Sequence, residues 1–214
     1  MAVEKYPITI VGCGPGSIGC MTGEALRAVE SADVLIGANR LLDIFPQSGS
    51  ERIAVGADIE VVLDEIEARY QKQRVIVLVT GDPGLCSLAQ PVIRRFGRIN
   101  CRVIPGISSV QTAFARVGVD WYGAAIISLH GRDSDMSPEQ ICSCDKIAIL
   151  TEGGKSLSQI AELVRAMNDD FQVFICEDLT LENEQVRQVD VSDLAGLAIS
   201  SRTIILLIKE HLLR

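Results

Sequence analysis

The chain has 214 residues, 48% of them hydrophobic, so it can bury a sizeable core in one large domain or two small ones. A formal net charge of −8 and an aromatic content of only 4% argue against general binding to nucleic-acid backbones. The apolar runs are far shorter than the ~20 residues of a membrane span, and the first residues lack a charged, apolar leader, so we expect a cytoplasmic protein.

The first half alternates short apolar runs with stretches of helical spacing. Thr22 and Asp58 are suited to cap two predicted helices, at 22–30 and 59–73. Continuous apolar runs are typical of strands covered on both faces, and the alternation of strand and helix indicates a parallel sheet. The predicted strands are 8–11, 33–36, 52–55, 75–79 and 101–104.

The second half follows a segment rich in turn formers at 116–123 and carries more strands than helices. This pattern predicts a mixed sheet rather than another doubly wound unit. The predicted elements are strands at 124–129, 146–150, 172–176 and 203–208 and a helix at 156–168. We therefore expect an α/β protein with two domains, 1–115 and 120–214.

The seven cysteines are scattered through mostly apolar segments, which favours small buried side chains over a redox or metal-binding role. Cys142 and Cys144 are separated by one residue instead of the two of a zinc motif. His130 and His211 are far from them in sequence. We predict no metal site.

A glycine-rich turn follows the first predicted strand in the fragment 8–17, ITIVGCGPGS. A dinucleotide-binding fingerprint would need a glycine where Ser17 stands, and an acidic residue after the second strand, where residues 37–40 stand instead. Pro15 also removes a backbone donor that a pyrophosphate would use. Dinucleotide binding is therefore not predicted, while a turn that a ligand approaches closely and an ordinary tight turn both stay open.

Two more predicted strands end in turn-forming motifs, TGDPG at 80–84 and IPGISS at 104–109. Asp82 fits ordinary turn chemistry, and Ser108 and Ser109 fit a helix N-cap. However, the carboxyl ends of parallel strands share one edge of a sheet, so the turns after residues 11, 79 and 104 should converge there. This convergence favours a ligand pocket.

The order of these motifs resembles the tetrapyrrole methylase family, and within it most closely the cobalt-precorrin C5-methyltransferases and the N-terminal domain of precorrin-6Y methylases. The resemblance implies a class III S-adenosylmethionine methyltransferase with a parallel-sheet N-terminal lobe, a mixed-sheet C-terminal lobe, the cofactor in the cleft between them, and a homodimer. The matching stretches are VGCGPGS (11–17), LIGANRLL (35–42), TGDPG (80–84), IPGISSVQ (104–111) and SLHGR (128–132).

The resemblance also implies site residues by motif match. The implied contacts to S-adenosyl-L-methionine, or to the product S-adenosyl-L-homocysteine, are Pro15, Gly81, Asp82, Leu85, Ser108, Ser109, Thr151 and Cys176. The predicted substrate contacts are Gly14, Arg40, His130 and Arg132, because guanidinium groups suit the carboxylates of a corrin precursor and a histidine can orient substrate or accept a proton. Leu85 and Cys86 depart from the family, whose members commonly carry an aromatic pair there.

These observations predict methylation of a corrin precursor, of the cobalt-precorrin-7 or precorrin-6 type, at C5 in cobalamin biosynthesis. We predict no catalytic nucleophile, because an electron-rich macrocycle attacks the methyl group itself when the two are aligned and water is excluded. Methylation of another tetrapyrrole position or substrate stays open, as does a catalytically silent S-adenosylmethionine-binding module that acts through protein partners. A separate C15-methyltransferase/decarboxylase is the expected partner, and neither nucleic acid nor membrane is expected to bind.

Overall fold

A computed structural model describes residues 6–56, 58–129, 143–151, 157–167 and 170–214. The chain divides into two units, Met1–Ser108 and Ser109–Arg214, and each contains a five-stranded sheet. The domain limits read from the sequence stay a prediction. No helix in the described part of the chain is long and apolar enough to cross a membrane.

The first unit alternates strands and helices along the chain, as predicted. Its elements are β1 (Ile8–Gly12), a 3-10 helix (Ile18–Cys20), α1 (Gly23–Glu30), β2 (Val34–Gly37), α2 (Asn39–Leu42), β3 (Glu51–Ala54), α3 (Ile59–Arg69), β4 (Val75–Val79), α4 (Ala89–Phe96), a 3-10 helix (Arg98–Asn100) and β5 (Cys101–Ile104). All five strands run parallel, in the order β3-β2-β4-β1-β5. The five predicted strands and the parallel sheet are confirmed.

The two predicted helix caps are also present. The Thr22 hydroxyl accepts a hydrogen bond from the Ala25 N–H at 3.1 Å, and the Asp58 carboxylate accepts one from the Glu60 N–H at 3.0 Å. Each cap satisfies one of the backbone donors that have no partner within the first turn of a helix. The sequence therefore fixes where α1 and α3 begin.

The end of α3 differs from the prediction, which extended this helix to residue 73. The helix ends at Arg69, because Tyr70 leaves it with φ −58° and ψ 152° and Gln71 has a positive φ of 70°. The Tyr70 ring then packs on Phe96 of α4, with 5.3 Å between the ring centroids. A tertiary contact thus accompanies a helix end that the local periodicity does not reveal.

The second unit contains a mixed sheet, as predicted. Its elements are α5 (Ser109–Val117), β6 (Ala125–Ser128), β7 (Lys146–Leu150), α6 (Leu157–Met167), β8 (Phe171–Glu177), β9 (Gln185–Val189), α7 (Val191–Leu194), β10 (Thr203–Lys209) and a 3-10 helix (Glu210–Leu213). The strand order is β6-β7-β10-β8-β9, in which β6 and β7 are parallel and the other neighbours antiparallel. The strand β9 was not predicted, because it is a largely exposed edge strand that carries Gln185, Arg187 and Gln188.

The parallel sheet of the first unit is covered by helices on both faces. Residues of α1, including Ala25 and Val29, pack with Val11 and Leu78 on one face. Residues of α3 and α4 pack on the other face in a cluster around Ile10. The strand residues are therefore buried from both sides, which explains why β1 and β4 consist almost entirely of apolar residues.

Candidate functional site

The first sheet has a topological switch point between β1 and β4. The chain leaves β1 through α1 toward β2 in one direction, and leaves β4 through α4 toward β5 in the other. Because crossovers between parallel strands are right-handed, opposite directions place α1 and α4 on opposite faces, as the two apolar clusters show. Open α/β sheets bind ligands in the crevice outside the carboxyl ends of the strands at such a point.

The turns that follow β1 and β4 are joined at this crevice by their backbones. The Gly81 N–H donates to the Gly14 carbonyl at 2.7 Å, and the Gly14 N–H donates to the Gly81 carbonyl at 3.3 Å. Gly14 has a positive φ of 74°, which favours glycine, and Pro15 beside it is buried. The predicted convergence of the strand-end turns is therefore confirmed for β1 and β4.

The turn after β5 joins the same junction through a second pair of glycines. A Cβ atom built on Gly12 would lie 2.6 Å from the nitrogen of Gly106 and 2.7 Å from the carbonyl oxygen of Gly81. Real Cβ atoms essentially never approach other atoms so closely, so Gly12 and Gly106 have to be glycines, while Gly81 has a positive φ of 65°, which favours glycine. We call Gly12, Gly81 and Gly106 the glycine junction.

Asp82 connects the turns after β4 and β5 with its side chain. One carboxylate oxygen accepts a hydrogen bond from the Gly84 N–H at 2.8 Å, and the other accepts one from the Gly106 N–H at 3.1 Å. An ionised carboxylate has about four lone-pair positions, so this half-buried group can accept further hydrogen bonds from a ligand. Turn chemistry and ligand binding, the two interpretations of Asp82, are therefore compatible.

Arg40 lies at the same rim of the sheet. It belongs to α2, directly after β2, which is the neighbour of β4 in the sheet. Its guanidinium donates a hydrogen bond to the hydroxyl of Thr80, the first residue after β4, and the residue is exposed. Thr80 thus orients a cationic group at the crevice, a role that its place in the sequence did not indicate.

Leu85 and Ser108, two further predicted contacts, lie on the turns after β4 and β5. Leu85 is half-buried and its N–H donates to the Asp82 carbonyl at 3.1 Å. Ser108 is 7% exposed and ends the first unit, whereas Ser109 is the first residue of α5 in the second unit. His130 and Arg132 lie outside the described residues.

Thr151 and Cys176 lie at the ends of two strands of the second sheet. Thr151 follows β7 and is 1% exposed; its hydroxyl donates to the Thr203 carbonyl at 3.1 Å. Cys176 lies near the end of β8 and is fully buried. In the sheet, β10 lies between β7 and β8, so both residues are neighbours of the first residues of β10.

Two buried thiols remain neutral at physiological pH. Burial raises the pKa of Cys13 to about 12, against weaker lowering by a backbone hydrogen bond and by the charge of Arg40. Burial likewise raises the pKa of Cys176 to about 12. These thiols are therefore suited to packing and not to nucleophilic attack. Among the described residues, no group of three or more His, Cys, Asp and Glu side chains is arranged to hold a metal ion.

Comparison with known proteins identifies the family. A family model named Tetrapyrrole (Corrin/Porphyrin) Methylases matches residues 7–195.

The chain belongs to this family.

This tetrapyrrole methylase is 38% identical, over 186 residues, to the cobalt-precorrin-7 C(5)-methyltransferase of Salmonella typhimurium, and the match covers 86% of this chain and 91% of that enzyme. The crystal structure of the cobalamin biosynthesis precorrin-6Y methylase from Archaeoglobus fulgidus is similar with a TM-score of 0.73 and 25% identity, covering 95% of this chain and 98% of that one. A uroporphyrin-III C-methyl transferase from Thermus thermophilus, complexed with S-adenyl homocysteine, shares the fold at a TM-score of 0.77 and 19% identity, covering 94% and 92%. The family and fold predicted from the motifs are confirmed.

The glycine junction should not tolerate a side chain. We expect Gly106→Ala to lower the free energy of unfolding by about 1–3 kcal/mol, because its Cβ would lie 2.8 Å from backbone atoms of Gly12. Gly56→Ala is the matched control, since a Cβ there would meet nothing within 4 Å. Urea denaturation of the two variants measures the difference, and equal stabilities would contradict the junction.

The two buried thiols should make the folded protein less stable in alkali. Between the ordinary thiol pKa of 9.0 and the raised pKa of about 12, the unfolded chain releases two protons that the folded chain retains. The free energy of unfolding should therefore fall as the pH rises through this interval. A Cys13→Ala/Cys176→Ala variant should show a shallower fall when urea denaturation is compared at about pH 8 and about pH 10. Parallel pH profiles for the variant and the wild type would show that these thiols ionise equally in both states.

Proposed function

We propose that the protein transfers a methyl group from S-adenosyl-L-methionine to C5 of a corrin precursor, of the cobalt-precorrin-7 or precorrin-6 type, in cobalamin biosynthesis. The observation that carries the proposal is the Asp82 carboxylate at the switch point, fixed by two backbone N–H groups and able to accept more bonds. The choice of substrate rests on the 38% identity to a relative named for C5 methylation of cobalt-precorrin-7.

The residues of the switch point fit the chemistry of this cofactor. S-adenosyl-L-methionine carries a sulfonium and an ammonium group, and an ionised carboxylate such as Asp82 is favourable beside a cation. The glycine junction lets the backbones of the three turns approach one another closely, so that the Asp82 carboxylate is held where these turns meet. We propose that the contacts of the cofactor are Pro15, Gly81, Asp82, Leu85, Ser108, Ser109, Thr151 and Cys176.

The bound cofactor supplies a methyl group that is electrophilic because it is attached to a positively charged sulfur. The task of the protein is then to hold the reactants in line and to exclude water. Asp82 and the turns after β4 and β5 fix one reactant. No side chain has to act as a nucleophile.

Arg40 provides a local positive charge for a substrate rich in carboxylates. The chain carries a net charge of −8, so a polyanionic substrate needs such a local group to overcome the overall repulsion. Its hydrogen bond to Thr80 holds the exposed guanidinium beside the crevice, where its positive charge attracts a carboxylate. Gly14, His130 and Arg132 are the other proposed substrate contacts.

We further propose a cytoplasmic homodimer that works with a separate C15-methyltransferase/decarboxylase. The acidic composition is consistent with a protein that binds neither nucleic acid nor anionic membrane surfaces.

Turnover and cofactor binding test the proposal together. Incubation with cobalt-precorrin-7 and S-adenosyl-L-methionine should add the mass of one methyl group to the corrinoid. Asp82→Leu should raise the Kd for S-adenosyl-L-homocysteine about tenfold or more, because it removes a charged acceptor and leaves two backbone donors unpaired. Asp64→Leu, a change of an exposed carboxylate on α3, is the matched control for calorimetric titration. Cofactor binding without methyl transfer would favour the catalytically silent module, and an unchanged Kd in Asp82→Leu would refute the assigned site.

The role of Arg40 is tested separately. Arg40→Ala should raise the KM for the corrinoid by about three- to tenfold through loss of a charged hydrogen bond, with little change in the Kd for S-adenosyl-L-homocysteine. Arg94→Ala removes an exposed arginine from the last turn of α4 and should leave both constants unchanged. A KM for the corrinoid that is insensitive to Arg40→Ala would exclude this residue from substrate binding.

A further inference from the structure

Ser200, in the segment before β10, forms hydrogen bonds through its backbone and through its side chain. Its N–H donates to a carboxylate oxygen of Glu177 at 2.8 Å, and its hydroxyl donates to a carboxylate oxygen of Asp178 at 3.0 Å. Its carbonyl accepts a hydrogen bond from the Thr203 hydroxyl at 2.7 Å. One small residue thus connects the end of β8 with the beginning of β10.

The two acidic residues of this network are almost completely buried. Glu177 is 8% exposed and Asp178 is 6% exposed. Asp178 also accepts hydrogen bonds from the Arg202 guanidinium and from the Asn183 amide, both at 2.6 Å, and Glu177 accepts one from Arg187 at 3.0 Å. Buried carboxylates with partners of this kind are well satisfied, yet such groups add little stability compared with apolar packing. Their value lies in the specific geometry that they impose.

The network reaches both of the proposed cofactor contacts in the second sheet. Thr203, which donates to Ser200, also accepts the hydroxyl and the N–H of Thr151 on its carbonyl, at 3.1 and 3.4 Å. Cys176 directly precedes Glu177 and Asp178 and pairs with Ile204 in the sheet. Thr151 at the end of β7 and Cys176 at the end of β8 are therefore fixed relative to each other through the intervening start of β10.

The loop after β8 is held to α5 by a second set of contacts. Glu184 forms an ion pair with Arg116 near the end of α5, at 2.5 Å, and accepts a hydrogen bond from the Thr180 N–H. Asp178 and Thr180 have positive φ angles of 47° and 68°, so side chains must hold this backbone in an unfavourable conformation. The contacts maintain a loop shape that an unrestrained chain would rarely adopt.

We propose that Ser200, Asp178 and Glu177 are positioning residues that align Thr151 with Cys176 and thereby set the affinity for S-adenosyl-L-methionine. The inference rests on the proposed function, because Thr151 and Cys176 can influence the affinity for the cofactor only if the cofactor binds beside them. The three residues act through Thr151 and Cys176 and do not themselves touch the cofactor.

The test compares variants of this network with a variant at the opposite end of β7. Asp178→Asn keeps the size and tolerates the left-handed backbone but removes the charge that pairs with Arg202. Asp120→Asn is the matched control. Asp120 forms an ion pair at 2.8 Å with the buried Lys146, the first residue of β7, whereas Thr151 follows the last residue of β7. Both variants replace the carboxylate of an ion pair by an amide, but only Asp178 belongs to the network that reaches Thr151 and Cys176.

We expect Asp178→Asn and Ser200→Ala to raise the Kd for S-adenosyl-L-homocysteine by about three- to tenfold and to raise the KM for S-adenosyl-L-methionine in parallel. The KM for the corrinoid should change by less than about twofold. Asp120→Asn should leave the Kd unchanged even if it lowers the Tm, and Ser200→Thr, which retains the hydroxyl, should restore affinity close to the wild type.

The outcomes separate this inference from the proposed function. If the wild-type protein binds S-adenosyl-L-homocysteine and the variants have a lower Tm but the wild-type Kd, the positioning role is overturned. The proposed function then stands. An equal loss of affinity in Asp120→Asn and Asp178→Asn would also overturn it, because the effect would then reflect general destabilisation. Wild-type protein with no affinity for S-adenosyl-L-homocysteine would overturn both.

Discussion

The contact among three glycine backbones at the carboxyl edge of the first sheet is the constraint on which the proposed site depends. Gly12, Gly81 and Gly106 come from segments far apart in the chain, and the close approach of their backbones leaves no room for a Cβ atom on Gly12 or Gly106. Beside this contact, the Asp82 carboxylate accepts a hydrogen bond from the Gly106 N–H and so connects two of the turns. The site is therefore assembled mainly from backbone, which explains how Leu85 and Cys86 can replace a common aromatic pair without loss of the turn itself.

Much of the first unit could be predicted from the sequence because each strand is a short apolar run ended by turn residues. The dinucleotide-binding fingerprint could also be rejected from the sequence, because each glycine of that motif has a defined physical role and Ser17 stands where a glycine is needed. The end of α3 and the strand β9 were not predictable in this way. Tyr70 turns away where its ring packs on a distant phenylalanine, and β9 is an exposed edge strand whose sequence is mostly polar.

The candidate site was only partly visible in the sequence. Turn motifs place Gly14, Asp82 and Ser108 near one rim, because parallel topology brings strand ends together. The partnership of Arg40 with Thr80 joins residues 40 positions apart, and the Ser200 network joins residues more than 20 positions apart. Such polar pairs leave no periodic pattern, so they become visible only when the fold is known.

The place of β10 in the second sheet has a consequence for how the protein is made. This strand lies between β7 and β8, both of which leave the ribosome before it. During synthesis the facing edges of β7 and β8 lack their shared neighbour, whereas the first sheet is complete once β5 has emerged. In the second unit, β7 and β8 therefore have to avoid incorrect pairing until β10 inserts between them. The need for chaperones during translation should be greatest in this half of the chain.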